Sequence, residues 1–187
     1  MPTQHVHVSA LVRRCFVLLA LTAGAIAMLL LPATAKAARS DESAVRTDRA
    51  LSTALLAEVN TARAERGRRS LQSVASLRRA ARTHAVSMGE RGYFGHVRTG
   101  DERGLAQTYA GKVAETLFWT GGSLSAREVV DRWLASAPHR TIVLGKRFAE
   151  IGILAVRVAQ APGVYRGATV TIVVADYGIP RRALARS

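Results

Sequence analysis

From Asp48 to Arg66 the apolar residues Leu51, Leu55, Val59 and Ala62 recur at steps of three and four. That is the spacing of one face of an amphipathic helix, and Gly67 supplies its stop. A second helix is predicted from Val74 to Met88, with Leu77, Ala81, His84 and Met88 on one face and Gly89 and Gly92 closing it. Tyr93-Phe94-Gly95-His96 follows as an exposed loop. Lys112 to Trp119 is a short apolar run suited to a strand, and Gly121-Gly122 breaks the chain after it. Ser125 and Glu128 stand at capping-box spacing ahead of Val129, Val130, Trp133 and Leu134, which predicts a third helix. Pro138 closes that helix or opens a new turn through Thr141. Ile151–Ala159 and Ala168–Tyr177 are rich in β-branched residues and are joined across Ala161-Pro162-Gly163, the pattern of an antiparallel pair. Helices first, then strands with a helix between them, predict an α+β layered sandwich.

Residues 1–37 follow a different pattern. Arg13 and Arg14 precede an uninterrupted apolar run from Cys15 to Leu31, and Pro32 breaks it. Ala33-Thr34-Ala35-Lys36-Ala37 then offers overlapping A-x-A sites, so the segment reads as a secretory signal peptide. The alternative is an uncleaved N-terminal anchor, because the run is at the short limit of a membrane span. Arg13-Arg14 also loosely fits a twin-arginine signal, although the strongly apolar stretch favours the general secretory route. Ala38 to Thr47 is polar and reads as a flexible lead-in, the folded domain as residues 48–179, and 180–187 as a basic tail. The expected location is extracellular or in the cell envelope.

Composition narrows the class. The single cysteine, Cys15, lies in the signal, so neither a disulfide framework nor a cysteine-based zinc module is available. Aromatic residues are 5% of the chain, too few for a base-stacking platform, and no specific nucleic-acid partner is expected. The net charge is +14; with residues 1–37 removed, 24 basic against 13 acidic residues leave +11. Such a chain is drawn to anionic surfaces in a salt-dependent way.

Few residues remain to carry chemistry. Beyond the signal the histidines are His84, His96 and His139, and no HExxH, P-loop, GxSxG or GxGxxG pattern occurs. His84 lies on an apolar helix face, where a buried, hydrogen-bonded structural role is expected. His96 follows an aromatic-glycine turn that can aim it outward, and His139 opens a short helix after Pro138. Glu115 sits inside the apolar run around Val113–Trp119, where an unpaired carboxylate is costly. It must pair with a cation such as Arg140, accept hydrogen bonds or bind a metal. Glu128 has a sufficient role as a cap, and Asp131 and Glu90 read as solvated helix faces.

Several segments, taken in order, resemble the CAP superfamily (cysteine-rich secretory proteins, antigen 5, pathogenesis-related 1), whose domain is also called SCP. They are Glu58-Val59-Asn60 with Ala62-Arg63, Leu71, Tyr93-Phe94-Gly95-His96, Val113-Ala114-Glu115-Thr116, and Trp133-Leu134-Ala135-Ser136-Ala137-Pro138-His139-Arg140. Phe148, Ile151-Gly152 and Ala175-Asp176-Tyr177-Gly178 complete the likeness, which covers about residues 50 to 178 and is nearest the small secreted bacterial branch. The resemblance implies a three-layer α-β-α sandwich with a central antiparallel sheet and a groove lined by two histidines and two glutamates. That groove can take a divalent cation such as zinc, with His96, Glu115 and His139 matching three of the four positions. Ser136 stands at the fourth, and Ala114 and Thr116 replace the glycine and asparagine of the family's G-E-N.

Three functions are therefore open. The first is a secreted module binding a lipid, cell-wall or protein ligand at a cation-capable groove. A second is a metal-dependent hydrolase, peptidase-like, with Glu115 and His139 as candidate catalytic residues. The third is a basic structural or adhesive envelope protein without a functional site. Membrane attachment is expected only if the signal is retained.

Overall fold

A computed structural model describes residues 44–96 and 109–181. In chain order the elements are β1 (Val45–Asp48), α1 (Arg49–Ala64), β2 (Gln72–Ser73), α2 (Ala75–Arg91), β3 (Gly111–Thr120), α3 (Ala126–Ala135), α4 (Ala137–Val143), β4 (Glu150–Ala161) and β5 (Ala168–Pro180). A short 3-10 turn, Gly163–Tyr165, lies between β4 and β5. The strands run β1-β4-β5-β3 across the sheet in antiparallel pairs, and the two residues of β2 add a parallel pair at the start of β4.

The pleat sorts the two faces. Ile151, Ile153, Ala155, Val173, Ala175 and Tyr177 face one side, where they pack with Leu55 and Val59 of α1, Val129, Val130 and Trp133 of α3, and Val143 of α4. Val156, Val158, Val170, Ile172, Val174 and, from β3, Leu117 face the other, against Ala81, Ala85 and Met88 of α2. The sheet is therefore covered by α1, α3 and α4 on one face and by α2 on the other. This is the α-β-α sandwich expected from the sequence.

Polar anchors lock the layers. Trp133 is buried, and its Nε1–H donates to the Leu117 carbonyl at 3.0 Å, tying α3 to β3. Arg63 is 1% exposed, and its guanidinium donates to the carbonyls of Arg69 (2.9 Å), Val143 (2.5 Å) and Gly145 (3.2 Å). Burial pushes its pKa down, and main-chain oxygens take the place of a carboxylate partner. Gly152 lies where β4 meets α2: a Cβ there would fall 2.0 Å from the Leu77 carbonyl carbon and 2.2 Å from the Arg78 nitrogen. Only glycine permits that approach.

Some sequence expectations shift. Val45–Thr47, within the stretch read as a flexible lead-in, join Asp48 in an edge strand in register with Ala155–Val158. Four residues with two exposed are too short to show an alternation, and pairing with β4 supplies the order. Gly89 does not end α2; it lies within the helix, its backbone against the Val158 side chain. Pro138 opens α4 rather than closing α3, because Ser136 in extended conformation ends one helix and begins the next. The signal segment, residues 38–43 and residues 182–187 lie outside the described residues. Among the described residues no helix is long and apolar enough to cross a membrane.

Candidate functional site

The site is assembled at β3, an outer strand of the sheet. Glu115 shares the pleat of Leu117, so its side chain faces α2. On α2, His84 falls on the buried face with Ala81, Ala85 and Met88. The helix ends at Gly92, whose φ of 68° is the left-handed conformation favoured by glycine and whose N–H donates to the Met88 carbonyl. That turn sends Tyr93–His96 back beside β3: Phe94 lies edge-on to Trp119 at a ring separation of 6.4 Å, and His96 reaches Glu115. α4 follows directly from Ser136 and carries His139 in its first turn.

Glu115 is the hub. His84 Nδ1 lies 2.6 Å from Glu115 Oε1 and His96 Nδ1 lies 2.7 Å from Oε2, so each oxygen holds one imidazole. An ionised carboxylate can only accept, so both rings carry their proton on Nδ1. The side-chain exposures differ: 3% for His84, 14% for Glu115 and 58% for His96. The row runs from the interior to solvent and ends at His96, whose Nε2 is left with its lone pair when the ring is neutral. His84 Nε2, by contrast, is buried without a hydrogen-bond partner. His139 is half-buried; burial, and then the charge of nearby His96, holds its pKa below the usual imidazole value.

A second carboxyl backs the first. Asp176 of β5 stands directly opposite Glu115 in the β3–β5 register and is 6% exposed. Burial, and then the adjacent Glu115 charge, pushes its pKa up to about 8, so it is mostly protonated at neutral pH. The cross-strand pair thus combines one carboxylate with one neutral acid.

The CAP sequence model, described as the cysteine-rich secretory protein family, matches residues 56–177. The chain belongs to that family. An outer surface protein from Borrelia burgdorferi shares the fold at a TM-score of 0.61 and 18% identity, over 73% of this chain and 98% of that one. An extracellular protein containing an SCP domain from Bacillus anthracis superposes with a TM-score of 0.50 at 17% identity, over 69% of this chain and 40% of the longer protein. At such identities the likeness is one of fold. No curated protein sequence matches significantly.

Within this CAP domain the structure brings His96 onto Glu115 and places His139 near enough to His96 for their charges to interact, although the three are far apart in sequence. It also adds two residues. His84, expected to be structural, is indeed buried and hydrogen-bonded, but its partner is the site carboxylate itself. Asp176 joins through strand register, which no local spacing in β3 or β5 announces. Arg140 is not the partner of Glu115: its Nη1 donates to the Leu134 carbonyl at 2.7 Å, capping the end of α3, while the imidazoles hold both carboxylate oxygens. Ser136, at the family's second glutamate position, is the hinge residue between α3 and α4.

The donor set bears directly on a cation. Among the described residues no group of three or more His, Cys, Asp or Glu side chains is arranged to hold a metal ion. Each oxygen of Glu115 already accepts an imidazole hydrogen bond, and the side chain is 14% exposed. The nitrogens of His96 and His139 are the donors that remain, with Glu115 behind His96 as its hydrogen-bond partner.

Proposed function

We propose that this CAP domain is an extracellular or envelope binding module whose site at β3 takes a ligand through His96 and His139, with a divalent cation such as zinc bridging them to it. The observation that carries the reading is the 2.7 Å contact from His96 Nδ1 to Glu115. It orients an exposed ring and fixes the direction of its outward nitrogen, as the second shell does behind metal-ligating histidines. The depressed pKa of His139 keeps a neutral imidazole beside it. Two protein donors leave coordination positions for a ligand or solvent. The signal-like segment supports an extracellular location, as do fold neighbours described as outer surface and extracellular proteins.

Binding is favoured over hydrolysis. A general base at Glu115 needs a water at its carboxylate, and that side chain is 14% exposed and already holds an imidazole on each oxygen. The test is a zinc titration by calorimetry on the wild type beside His96→Ala, His139→Ala and Glu115→Gln. Saturable one-to-one binding is expected, weakened at least roughly tenfold in each histidine variant and less in Glu115→Gln. Binding indifferent to both histidines, or no binding at all, overturns the cation reading.

A further inference from the structure

Among the described residues the exposed large hydrophobic side chains are Phe94 (38%), Trp119 (37%) and Val164 (53%). They come from three separate segments, yet they meet at one end of the sandwich. Phe94 lies edge-on to Trp119 at 6.4 Å, and Trp119 lies edge-on to Tyr165 at 5.1 Å. Val164 immediately precedes Tyr165 in the turn that joins β4 to β5. The cluster is held by main-chain bonds: Val164 N–H donates to the Gly92 carbonyl at 2.9 Å, and the Tyr165 hydroxyl to the Tyr93 carbonyl at 2.8 Å. The β4–β5 pair continues to Ala161↔Ala168, beyond the last β3 pair at Thr120↔Thr171, so Val164 stands at a hairpin tip. Exposed apolar residues scattered singly need no explanation; these converge on a built, projecting patch.

Charge says what the patch faces. Arg91 ends α2 just before Gly92, and Arg166 follows Tyr165; both are exposed, and neither is held in an ion pair among the described residues. Glu90 is the one acidic residue in the segments that build this end, 88–96, 117–122 and 160–172, and the chain as a whole carries +14. Aromatic and aliphatic side chains with arginines next to them in the chain are what the boundary between headgroups and acyl chains accepts. A small apolar ligand, in contrast, needs a concavity.

We propose that this end of the domain docks on an anionic lipid bilayer. Phe94, Trp119 and Val164 enter the headgroup–acyl boundary while Arg91 and Arg166 meet lipid phosphates. The proposal does not use His96, Glu115 or His139, and Val164 and Arg166 lie in the β4–β5 turn, so zinc titration of the Val164 and Arg166 variants separates the two readings.

The experiment uses a fragment beginning at Ala38. Among the described residues both core clusters and every strand of the sheet lie between Val45 and Pro180, so the packing that holds the domain draws on nothing from the apolar leader. The probes are phosphatidylcholine vesicles with and without phosphatidylglycerol, read by flotation and tryptophan emission. The chain has two tryptophans and Trp133 is 1% exposed, so a blue shift or quenching by brominated lipid reports Trp119. Binding is expected only to the anionic vesicles, with both optical signatures. Phe94→Ser or Trp119→Ala should weaken it roughly tenfold. Each of Arg91→Gln and Arg166→Gln should weaken it about fivefold. Val164→Asp, at a 53% exposed position on the hairpin tip, should abolish the blue shift while leaving Trp133 emission intact. Three outcomes overturn the proposal: anionic-vesicle binding with no Trp119 signal and no response to the apolar variants, a Trp119 shift with soluble chito-oligosaccharide but not with vesicles, or a self-association removed by Trp119→Ala.

Discussion

Replacing Asp176 with asparagine should reverse a pH dependence built into the sheet. Asp176 is 6% exposed and faces Glu115 across the β3–β5 pair, and its pKa is pushed up to about 8. In the unfolded chain the same carboxyl titrates near ~3.9. Between those values the folded state keeps a proton that the unfolded state has lost, so stability from this residue falls as pH rises. The slope is about 1.4 kcal/mol per pH unit, and the whole interval is worth on the order of 3–5 kcal/mol once some water reaches the ionised group. Asparagine preserves the shape and cannot ionise. Urea unfolding of both proteins at half-unit steps from pH 4 to 9 isolates the effect, because every other titratable group is present in both. The two should have similar stability near pH 4, and the variant should pull ahead steadily until about pH 8, where the difference levels off. Parallel curves would refute the reasoning, since they require Asp176 to ionise normally inside the folded domain.

Two further changes probe the frame that holds the site. Arg63→Met strips four main-chain carbonyls of their guanidinium donor in a 1% exposed position, and unfolding should become easier by about 3–5 kcal/mol; a loss under 1 kcal/mol in urea unfolding would mean that water replaces the guanidinium readily. Gly152→Ala places a methyl 2.0 Å from the Leu77 backbone, where no side chain can swing aside, and should cost about 3 kcal/mol, the upper end for overpacking. Thermal unfolding checks it, and a Tm within a degree of wild type would show that α2 moves off the sheet freely.

Much of this molecule is legible in its sequence. The helix faces, the capping box at Ser125 and Glu128, and the β-branched runs of β4 and β5 are local patterns, and the structure places them close to their predicted limits. Glu115 could also be singled out locally, because a carboxylate in an apolar run must have a partner. Which partner was decided elsewhere. Arg140 is adjacent to His139 in sequence but turns to the carbonyl at the end of α3, whereas His84, 31 positions before Glu115, is brought to 2.6 Å by the packing of α2 on the sheet. His84 reads as core because its helix face is apolar, and the same burial delivers it to the carboxylate.

The remaining features depend on which segments become neighbours. Val45–Asp48 is ordered by β4, and Asp176 meets Glu115 only through the β3–β5 register. Phe94, Trp119 and Val164 carry no common signal in sequence, yet the turn at Gly92 and the β4–β5 hairpin set them side by side. The sequence by itself determined the periodic elements, the family motifs and the residues that cannot stand unpaired, because those rest on spacing within a turn or two of chain. Tertiary structure alone decided the partners, the protonation of Asp176 and the exposed patch, because desolvation and proximity are set by atoms distant along the chain.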